Sequence, residues 1–266
     1  MKKQCAFPTS SLFGLDICAV RFYPAVQELI RLAERCGQPP AIVVTPNVDH
    51  VVRLDADAGL RALYAQADYI FADGMPVVWA SCMSEMSLPE RVSGADLFVE
   101  LLRVAVHRRV PVFIIGGMPG QEQLLAAAFA QMYPGLQIAL YCPSMQFDPL
   151  GAEAREALNR INACRPGLVF VCLGMPKQER WALAHRDEMQ AGVVLCVGAA
   201  MEFALGLKSR APLWMQQAGL EWFWRLVSEP RRLWRRYIVQ GVRFIGVLRR
   251  EWKHQHARRF RQSSGR

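Results

Sequence analysis

The feature of this sequence that most constrains its fold is a series of short apolar runs, each followed by a glycine or polar cluster and then by a helical pattern. The clearest runs are Ala41–Val44, Val110–Ile115, Leu168–Leu173 and Val193–Val197. Uninterrupted apolar runs of this length are typical of strands buried on both faces, and their alternation with helices is typical of βαβ units. We therefore predict an α/β fold with a mostly parallel sheet flanked by helices.

Several weaker segments complete the predicted order of elements. Residues 13–20 are predicted to form a first strand, and the apolar spacing of residues 51–65 predicts one helix. That helix leads to a strand ending at Asp73, and a long helix is predicted beyond Pro230. With 266 residues the chain can bury one sizeable core, so we expect one main domain, residues 1–208, and a helical appendage, residues 209–266.

The positive charge of the chain is concentrated in its last 36 residues. The formal net charge is +9, yet Arg231–Arg266 holds twelve Lys/Arg against one acid, Glu251. The preceding residues hold 20 bases and 22 acids and are close to neutral. A basic tail of this kind indicates a polyanionic partner, either lipid or nucleic acid. No nucleic-acid-binding motif accompanies it, so we expect no nucleic-acid partner and favour an anionic membrane surface.

The tail also carries apolar side chains at helical spacing. They recur every three or four residues, with arginines predicted on the opposite side: Trp234, Ile238, Gly241, Ile245, Leu248 and Trp252, then Arg236, Arg243 and Arg250. This pattern predicts a helix lying in the membrane interface. The alternative is a helix packed on its own domain with a solvated basic face. The best apolar run is too short to span a membrane and is interrupted by Gln240 and Arg243.

Cysteine and acidic residues argue against disulfide and metal sites. The eight cysteines form no C-x-x-C pair, which predicts reduced thiols in a cytoplasmic protein. No signal peptide is expected, because polar residues interrupt the apolar region after Met1. Asp55 and Asp57 have the spacing of a metal-binding pair, but at a helix start they are better interpreted as caps. His50, His107 and His185 lack the partners typical of catalysis or metal binding.

Three polar clusters follow strands of the predicted sheet. They are Thr45 with Asn47, Asp73 with Arg91 nearby, and the run Lys177, Gln178 and Glu179. The carboxyl ends of parallel strands share one edge, so these clusters are predicted to converge on one crevice, where ligands of open α/β sheets bind. Asp73 is the candidate catalytic residue, and its alternative is a turn-forming Asp before Gly. Gly116 and Gly117 are either phosphate-binding N–H donors or a plain tight turn.

The ordered set of motifs resembles one known family. The matching motifs are Thr45-Pro46-Asn47, Ala72-Asp73-Gly74, Glu90-Arg91-Val92-Ser93-Gly94-Ala95-Asp96, Gly116-Gly117, Tyr133-Pro134-Gly135, Leu173-Gly174-Met175-Pro176-Lys177-Gln178-Glu179, Arg210-Ala211-Pro212, Glu221-Trp222 and Glu229-Pro230-Arg231-Arg232. In this order, from about residue 12 to residue 237, they closely resemble the WecG/TagA/CpsF glycosyltransferases. The chain departs from many relatives at Ala199–Phe203, where the pocket wall would differ.

The resemblance implies a Rossmann-like domain and a bacterial, inverting transferase. Such an enzyme moves a sugar from a UDP-sugar to a polyprenyl-diphosphate-linked saccharide at the inner face of the cytoplasmic membrane. By motif, Asp73 corresponds to the proposed base and Thr45, Asn47, Arg91 and Gln178 to the surrounding pocket. A tail arginine would approach the nucleotide diphosphate, with these candidates: Arg210, Arg225, Arg231 and Arg232. No cofactor and no metal is expected.

Two other functions stay open at this point. One is a non-catalytic, membrane-recruited subunit of a polysaccharide assembly that uses the same fold to bind nucleotide. The other is a nicotinamide enzyme, which rests only on Gly116 and Gly117 and lacks both the glycine fingerprint and a ribose-binding acid. The sequence leaves open the sugar transferred, the acceptor saccharide and the oligomeric state.

Overall fold

The structure is a computed structural model that describes residues 5–35, 39–207, 211–212, 214–215, 219–228 and 230–263. The side chains of residues 222, 225, 228, 230–238 and 258–263 lie outside that description. Two short strands, β1 (Thr9–Leu12) and β2 (Leu15–Cys18), form an antiparallel hairpin. The predicted first strand over residues 13–20 is therefore wrong in extent, because the chain turns within it and its remainder is the second strand of this hairpin. Phe13 and Gly14 adopt left-handed φ angles of 56° and 72°, and so they form the turn that reverses the chain.

The main sheet contains six strands, all parallel, which confirms the predicted α/β fold. They are β3 (Ala41–Val44), β4 (Tyr69–Ile70), β5 (Val112–Ile115), β6 (Ile138–Tyr141), β7 (Leu168–Val171) and β8 (Val193–Cys196). Their spatial order is β4-β3-β8-β7-β5-β6. The sheet therefore presents the ends of β4, β3, β8 and β7 as neighbours along one edge.

Eleven helices are described. They are α1 (Phe22–Ala33), α2 (Val48–Ala56), α3 (Ala58–Tyr64), α4 (Met75–Ala80), α5 (Gly94–Arg108), α6 (Glu122–Met132), α7 (Ala152–Cys164), α8 (Lys177–Ala184), α9 (Ala200–Ala204), α10 (Glu221–Ser228) and α11 (Pro230–Ser263). The single helix predicted over residues 51–65 is wrong. Asp57 is extended, with φ −128° and ψ 99°, and its Oδ1 accepts from the Leu60 N–H at 2.9 Å, so it begins a second helix.

Buried side chains cover both faces of the sheet, as strict alternation along each strand requires. Ile42 and Val44 of β3 face the cluster that contains α2, α3, α7 and α8. Ala41 and Val43 face the cluster that contains α1, α5 and α6. The apolar runs of the sequence therefore correspond to central strands between two layers of helices.

Helix α11 packs against α2 and the β1–β2 hairpin. Phe244 and Val247 are buried in the core, and the Phe13 and Phe244 rings lie 6.0 Å apart. Gln255 Nε2 donates to the Ser11 carbonyl at 2.9 Å, and Arg250 pairs with Asp55 at 2.5 Å. The helix predicted beyond Pro230 is confirmed.

The apolar stripe predicted on that helix does not form a single face. Leu248 packs against the core, whereas Ile245 and Trp252 are 52% and 50% exposed. The helix buries the side that holds Phe244 and Val247, and this leaves other apolar residues outside. None of the described helices is long and apolar enough to cross a membrane.

Candidate active site

Backbone hydrogen bonds join the loops at the carboxyl edge of the sheet. The N–H of Asp73, after β4, donates to the Pro46 carbonyl, after β3, at 3.0 Å. The Val92 N–H donates to the Ala72 carbonyl, also at 3.0 Å. These bonds bring the Thr45–Asn47 loop, Asp73 and the segment that carries Arg91 to the same edge, as the sequence predicted.

Asp73 lies where a buried strand emerges at this edge. Phe71 and Ala72 before it are buried, whereas Asp73 is half-buried. Gly74 follows with φ +131°, and α4 begins immediately afterwards. The backbone of Asp73 is fixed by the sheet, and the residue is only partly buried at this edge. It can therefore accept a proton from a bound hydroxyl group.

Thr45 lies under the start of α5. A methyl group at Gly94, the first residue of α5, would lie 2.7 Å from Thr45 Oγ1 and 3.3 Å from Val197 Cγ1. Glycine at this position therefore allows α5 to approach the loops that follow β3 and β8. Ser93 caps the helix, and its Oγ accepts from the Asp96 N–H at 3.1 Å. Thr45 is therefore buried beneath the start of α5, where it is 7% exposed.

Asn47 begins α2 and involves a histidine that sequence reasoning set aside. Asn47 Oδ1 accepts from the Asp49 N–H at 3.0 Å and from the His50 N–H at 3.3 Å. His50 Nδ1 accepts from the Asn47 backbone N–H at 3.4 Å, which completes a capping box, and the same ring nitrogen lies 2.7 Å from Asn47 Oδ1. The His50 ring is 6.2 Å from the Tyr64 ring. The available signal was the position of His50, three residues after an asparagine that precedes a helix.

Arg91 connects the body of the protein to α10. Its guanidinium pairs with Asp96 at 2.9 Å and with Glu221 at 2.8 Å, and the side chain is only 15% exposed. Ser93 Oγ also donates to Asp96 Oδ2 at 2.7 Å. Two carboxylates therefore compensate the Arg91 charge in the absence of a substrate. Its predicted contact with the diphosphate stays a prediction.

Gln178 and Glu179 are buried beneath the loops that follow β7 and β8. They are 2% and 1% exposed. Gln178 Oε1 accepts from the N–H groups of Gly174 and Gly198, at 3.2 and 3.0 Å. Lys177 lies farther from this network, and its Nζ donates to the Met145 carbonyl at 3.1 Å. Gln178 thus joins two neighbouring loops, whereas Glu179 contacts protein groups instead of solvent.

Gly116 and Gly117 are constrained by packing. Their φ angles are +150° and +95°. A methyl group at Gly116 would lie 2.6 Å from Cys172 Cβ, and one at Gly117 would lie 2.8 Å from Leu125 Cδ1. The Gly116 N–H donates to the Tyr141 carbonyl at 3.0 Å, which leaves it unsuited to a phosphate. For Gly116, the tight-turn alternative therefore fits better than phosphate binding.

Some predicted residues lie outside the described part of the chain or have no described side chain: Arg210, Arg225, Arg231, Arg232, Trp234, Arg236 and Ile238. Among the described residues, no group of three or more His, Cys, Asp or Glu side chains is arranged to hold a metal ion. Asp55 pairs with Arg250, and Asp57 caps α3. Both acids of the candidate metal pair therefore have structural roles.

Comparison with known proteins agrees with this arrangement. Residues 10–258 match the model of the Glycosyl transferase WecG/TagA/CpsF family. Two similar proteins come from Staphylococcus aureus strains MW2 and NCTC 8325 / PS 47, and each is named N-acetylglucosaminyldiphosphoundecaprenol N-acetyl-beta-D-mannosaminyltransferase. Each is 30% identical over 224 residues, which cover 84% of this chain and 86% of the relative. The chain therefore belongs to the WecG/TagA/CpsF family of glycosyltransferases.

Proposed function

We propose that this protein transfers a sugar from a UDP-sugar to a polyprenyl-diphosphate-linked saccharide, with inversion, during bacterial cell-surface or exopolysaccharide synthesis. The observation that carries this proposal is the half-buried Asp73 at the carboxyl edge of the sheet, hydrogen-bonded through its backbone to the loop after β3. The names of the relatives support a lipid-diphosphate acceptor, because each relative is named for action on N-acetylglucosaminyldiphosphoundecaprenol.

In the proposed reaction, Asp73 acts as the general base. The Asp73 carboxylate takes the proton of an acceptor hydroxyl as the hydroxyl oxygen attacks the anomeric carbon of the donor sugar. The bond from that carbon to the UDP oxygen breaks in the same step, and UDP leaves with the electron pair. A single displacement inverts the anomeric centre and requires no covalent intermediate. A correctly placed base contributes a factor of ~10²–10⁴ in rate.

The departing diphosphate requires positive charge, which arginines can supply. Arg91 is held at the edge of the crevice by Asp96 and Glu221. We assign it to the diphosphate together with an arginine of the appendage, drawn from Arg210, Arg225, Arg231 and Arg232. Fixed guanidinium groups stabilise developing negative charge without reorganising during the reaction. We assign no metal and no cofactor to this step.

The surface near the crevice suits an acceptor that is embedded in a membrane. Trp79 is 55% exposed on α4, the helix that follows Asp73. Along α11, Ile245 and Trp252 are exposed, and the exposed Arg249 lies between them on the same side of the helix, four residues after Ile245 and three before Trp252. Apolar and basic side chains together favour the interface of an anionic bilayer, where each Lys or Arg contributes roughly 1 kcal/mol. We therefore propose peripheral association with the inner face of the cytoplasmic membrane.

The proposed function is tested by a panel of UDP-sugars with polyprenyl-diphosphate acceptors, following the release of UDP. One donor is expected to be consumed, and Asp73→Asn is expected to lower kcat by ~10²–10⁴ while the protein remains folded. The matched control is Asp16→Asn, an exposed acid on the hairpin, which should keep the parent rate. Full activity of a folded Asp73→Asn variant would exclude Asp73 as the base.

The alternative is a non-catalytic subunit that binds a nucleotide. It predicts that UDP binds in calorimetry and that no donor in the panel is consumed, even with lipid acceptors present. The same panel therefore separates the two functions. The observation that favours an enzyme is the half-buried position of Asp73 directly after β4, at the carboxyl edge of the sheet.

A further inference from the structure

The loops after β7 and β8 are joined by one side chain, that of Gln178. Its Oε1 accepts from the Gly174 N–H, before α8, and from the Gly198 N–H, directly after β8. Both glycines have left-handed φ angles, 76° and 55°, so each loop turns sharply at the point where it is bonded. Because Gln178 is almost fully buried, the spacing of the two loops depends on this amide.

Only one of the two orientations of the Gln178 side-chain amide satisfies its hydrogen bonds. Its oxygen faces two N–H donors, and its nitrogen faces Glu179 Oε1 at 2.8 Å. Rotating the amide by 180° would place the NH₂ group against two donors and the carbonyl oxygen against the carboxyl oxygen. The two orientations have nearly the same shape, so hydrogen bonding must select between them. Glu179 is the group that accepts from the nitrogen and thereby makes the selection.

Glu179 is itself held by a residue from another helix. Tyr64, at the end of α3, donates its hydroxyl to Glu179 Oε1 at 2.7 Å. Glu179 Oε2 is buried and has no hydrogen-bond partner among the described residues. Burial raises the pKa of the Glu179 carboxyl, whereas the hydrogen bonds from Gln178 and Tyr64 act in the opposite direction. The titratable groups facing this site are Tyr64 and the buried thiol of Cys196.

We propose that Glu179 is a positioning residue that holds the Gln178 amide in its productive orientation and thereby fixes the two loops that bound the crevice. The chain of contacts extends farther, because the Tyr64 ring is 6.2 Å from the His50 ring and His50 contacts Asn47. A hydrogen-bonded network therefore joins Tyr64, Glu179 and Gln178 to the loops after β7 and β8, and a ring contact places it beside the cap of α2. Its effect on sugar transfer rests on the proposed function, but its effect on the loops does not.

Amide hydrogen exchange, measured by NMR on the full chain without substrate, tests the effect on the loops. Glu179→Leu keeps the volume of the side chain but removes the acceptor, so we expect exchange at the Gly174 and Gly198 amides to accelerate at least tenfold. The Phe170 amide in β7 should be unchanged and serves as the internal control. Glu179→Gln keeps an acceptor oxygen and should restore slow exchange. Unchanged exchange at both glycines in Glu179→Leu would overturn the proposal.

Tyr64→Phe provides a gentler variant if Glu179→Leu fails to fold. It removes only the hydroxyl that holds the carboxyl group, so exchange at the same two amides should rise by a smaller factor, about threefold. Protection equal to that of the parent at both glycines would contradict the network. A rise spread over all strands would mean general destabilisation and would equally overturn a specific positioning role.

Steady-state kinetics with the identified donor tests the consequence for transfer. Glu179→Leu and Gln178→Ala should each lower kcat/KM, and the double variant should be no worse than Gln178→Ala alone, because both substitutions remove the same element. Glu179→Gln should retain most of the parent activity. Losses that multiply in the double variant would show that Glu179 acts independently of Gln178. If exchange responds as expected but no donor is consumed by the parent protein, the proposed function fails and the positioning role stands.

Discussion

The crevice and the tail helix are built in different ways. At the crevice, neighbouring loops are held by buried hydrogen bonds, such as those of Gln178, and by close approaches at glycines such as Gly94 and Gly116. Where the side chains of α11 are described, Phe244, Val247 and Gln255 are buried on one side, whereas Ile245 and Trp252 on the other side are exposed. The loops at the carboxyl edge are therefore fixed by contacts from several segments, whereas the described part of the tail helix has one buried face and one exposed face.

This difference has a consequence for substitution. In the crevice, a change in one side chain should disturb both packing and chemistry, because the same residues serve both. On α11, docking and surface binding use different residues and should be separable. The following predictions examine that contrast, in order of decreasing effect.

The largest effect is expected at Gly116. In Gly116→Ala the added methyl group would lie 2.6 Å from Cys172 Cβ, so the backbone at Gly116 or at Cys172 must move. The φ angle of +150° at Gly116 adds strain for any residue with a side chain. We expect a loss of about 3 kcal/mol in the free energy of unfolding, measured in urea. The matched control is Gly120→Ala, where φ is +80° and no atom lies within 4 Å, and it should lose about 1 kcal/mol. Equal losses would mean that close packing at this edge contributes little.

On the tail helix, stability and membrane binding should respond to different residues. Phe244→Ala removes a buried ring that lies against Phe13 and should cost about 3 kcal/mol of unfolding free energy. Trp252→Ala should change that free energy by less than about 0.5 kcal/mol. It should nevertheless weaken sedimentation with anionic liposomes by about fivefold, because an exposed indole contributes roughly 1 kcal/mol on entering the interface.

Two outcomes would break this separation of faces. If Trp252→Ala left liposome binding unchanged, α11 would be a packed helix with a solvated basic face, the alternative that the sequence left open. If Trp252→Ala destabilised the fold as much as Phe244→Ala, the helix would dock through both sides. Liposomes without anionic lipid serve as the control for the contribution of the arginines.

The smallest effect is expected at the junction of the two regions, the Arg91–Glu221 pair. If Arg91 binds the donor diphosphate, Arg91→Ala should raise the donor KM about threefold, since a charge-assisted contact is lost from a guanidinium that Asp96 and Glu221 already compensate in part. Glu221→Gln should leave that KM unchanged or lower it, because the guanidinium loses a competing carboxylate. Steady-state kinetics with the parent donor separates this role from a purely structural one. If Arg91 only tethers α10, the two variants should raise KM equally.

The sequence predicted the central architecture correctly because local composition determines it. Ala41–Val44 and Leu168–Val171 are apolar at every position, and only a strand covered on both faces can bury such a run. The same reasoning failed where a turn or cap was involved. Phe13 and Gly14 form a turn, so the first predicted strand is part of a hairpin. Asp57 caps a new helix, so the one predicted helix is in fact two. Both errors arose because one or two residues with a special backbone conformation outweighed the hydrophobic period.

The candidate site was predictable in part from the order of the strands. Parallel strands must place their carboxyl ends together, so Thr45, Asn47, Asp73 and Gln178 could be assigned to one edge from their positions alone. No local pattern states how deeply a side chain is buried, and so Glu179 was grouped with Lys177 and Gln178 in one polar cluster although it is buried and bonded to Tyr64. His50 was set aside because its partner Asn47 became evident only as a helix cap.

By itself, the sequence determined the α/β class, the edge of the sheet that carries the polar clusters and the basic character of the tail, since each follows from the order of residues along the chain. Only the tertiary structure decided which face of α11 is buried, that Arg91 is shared between Asp96 and Glu221, and that Glu179 lies behind Gln178. These are contacts between segments distant in sequence. They depend on how the layers pack, and packing is a property of the whole chain that no local spacing encodes.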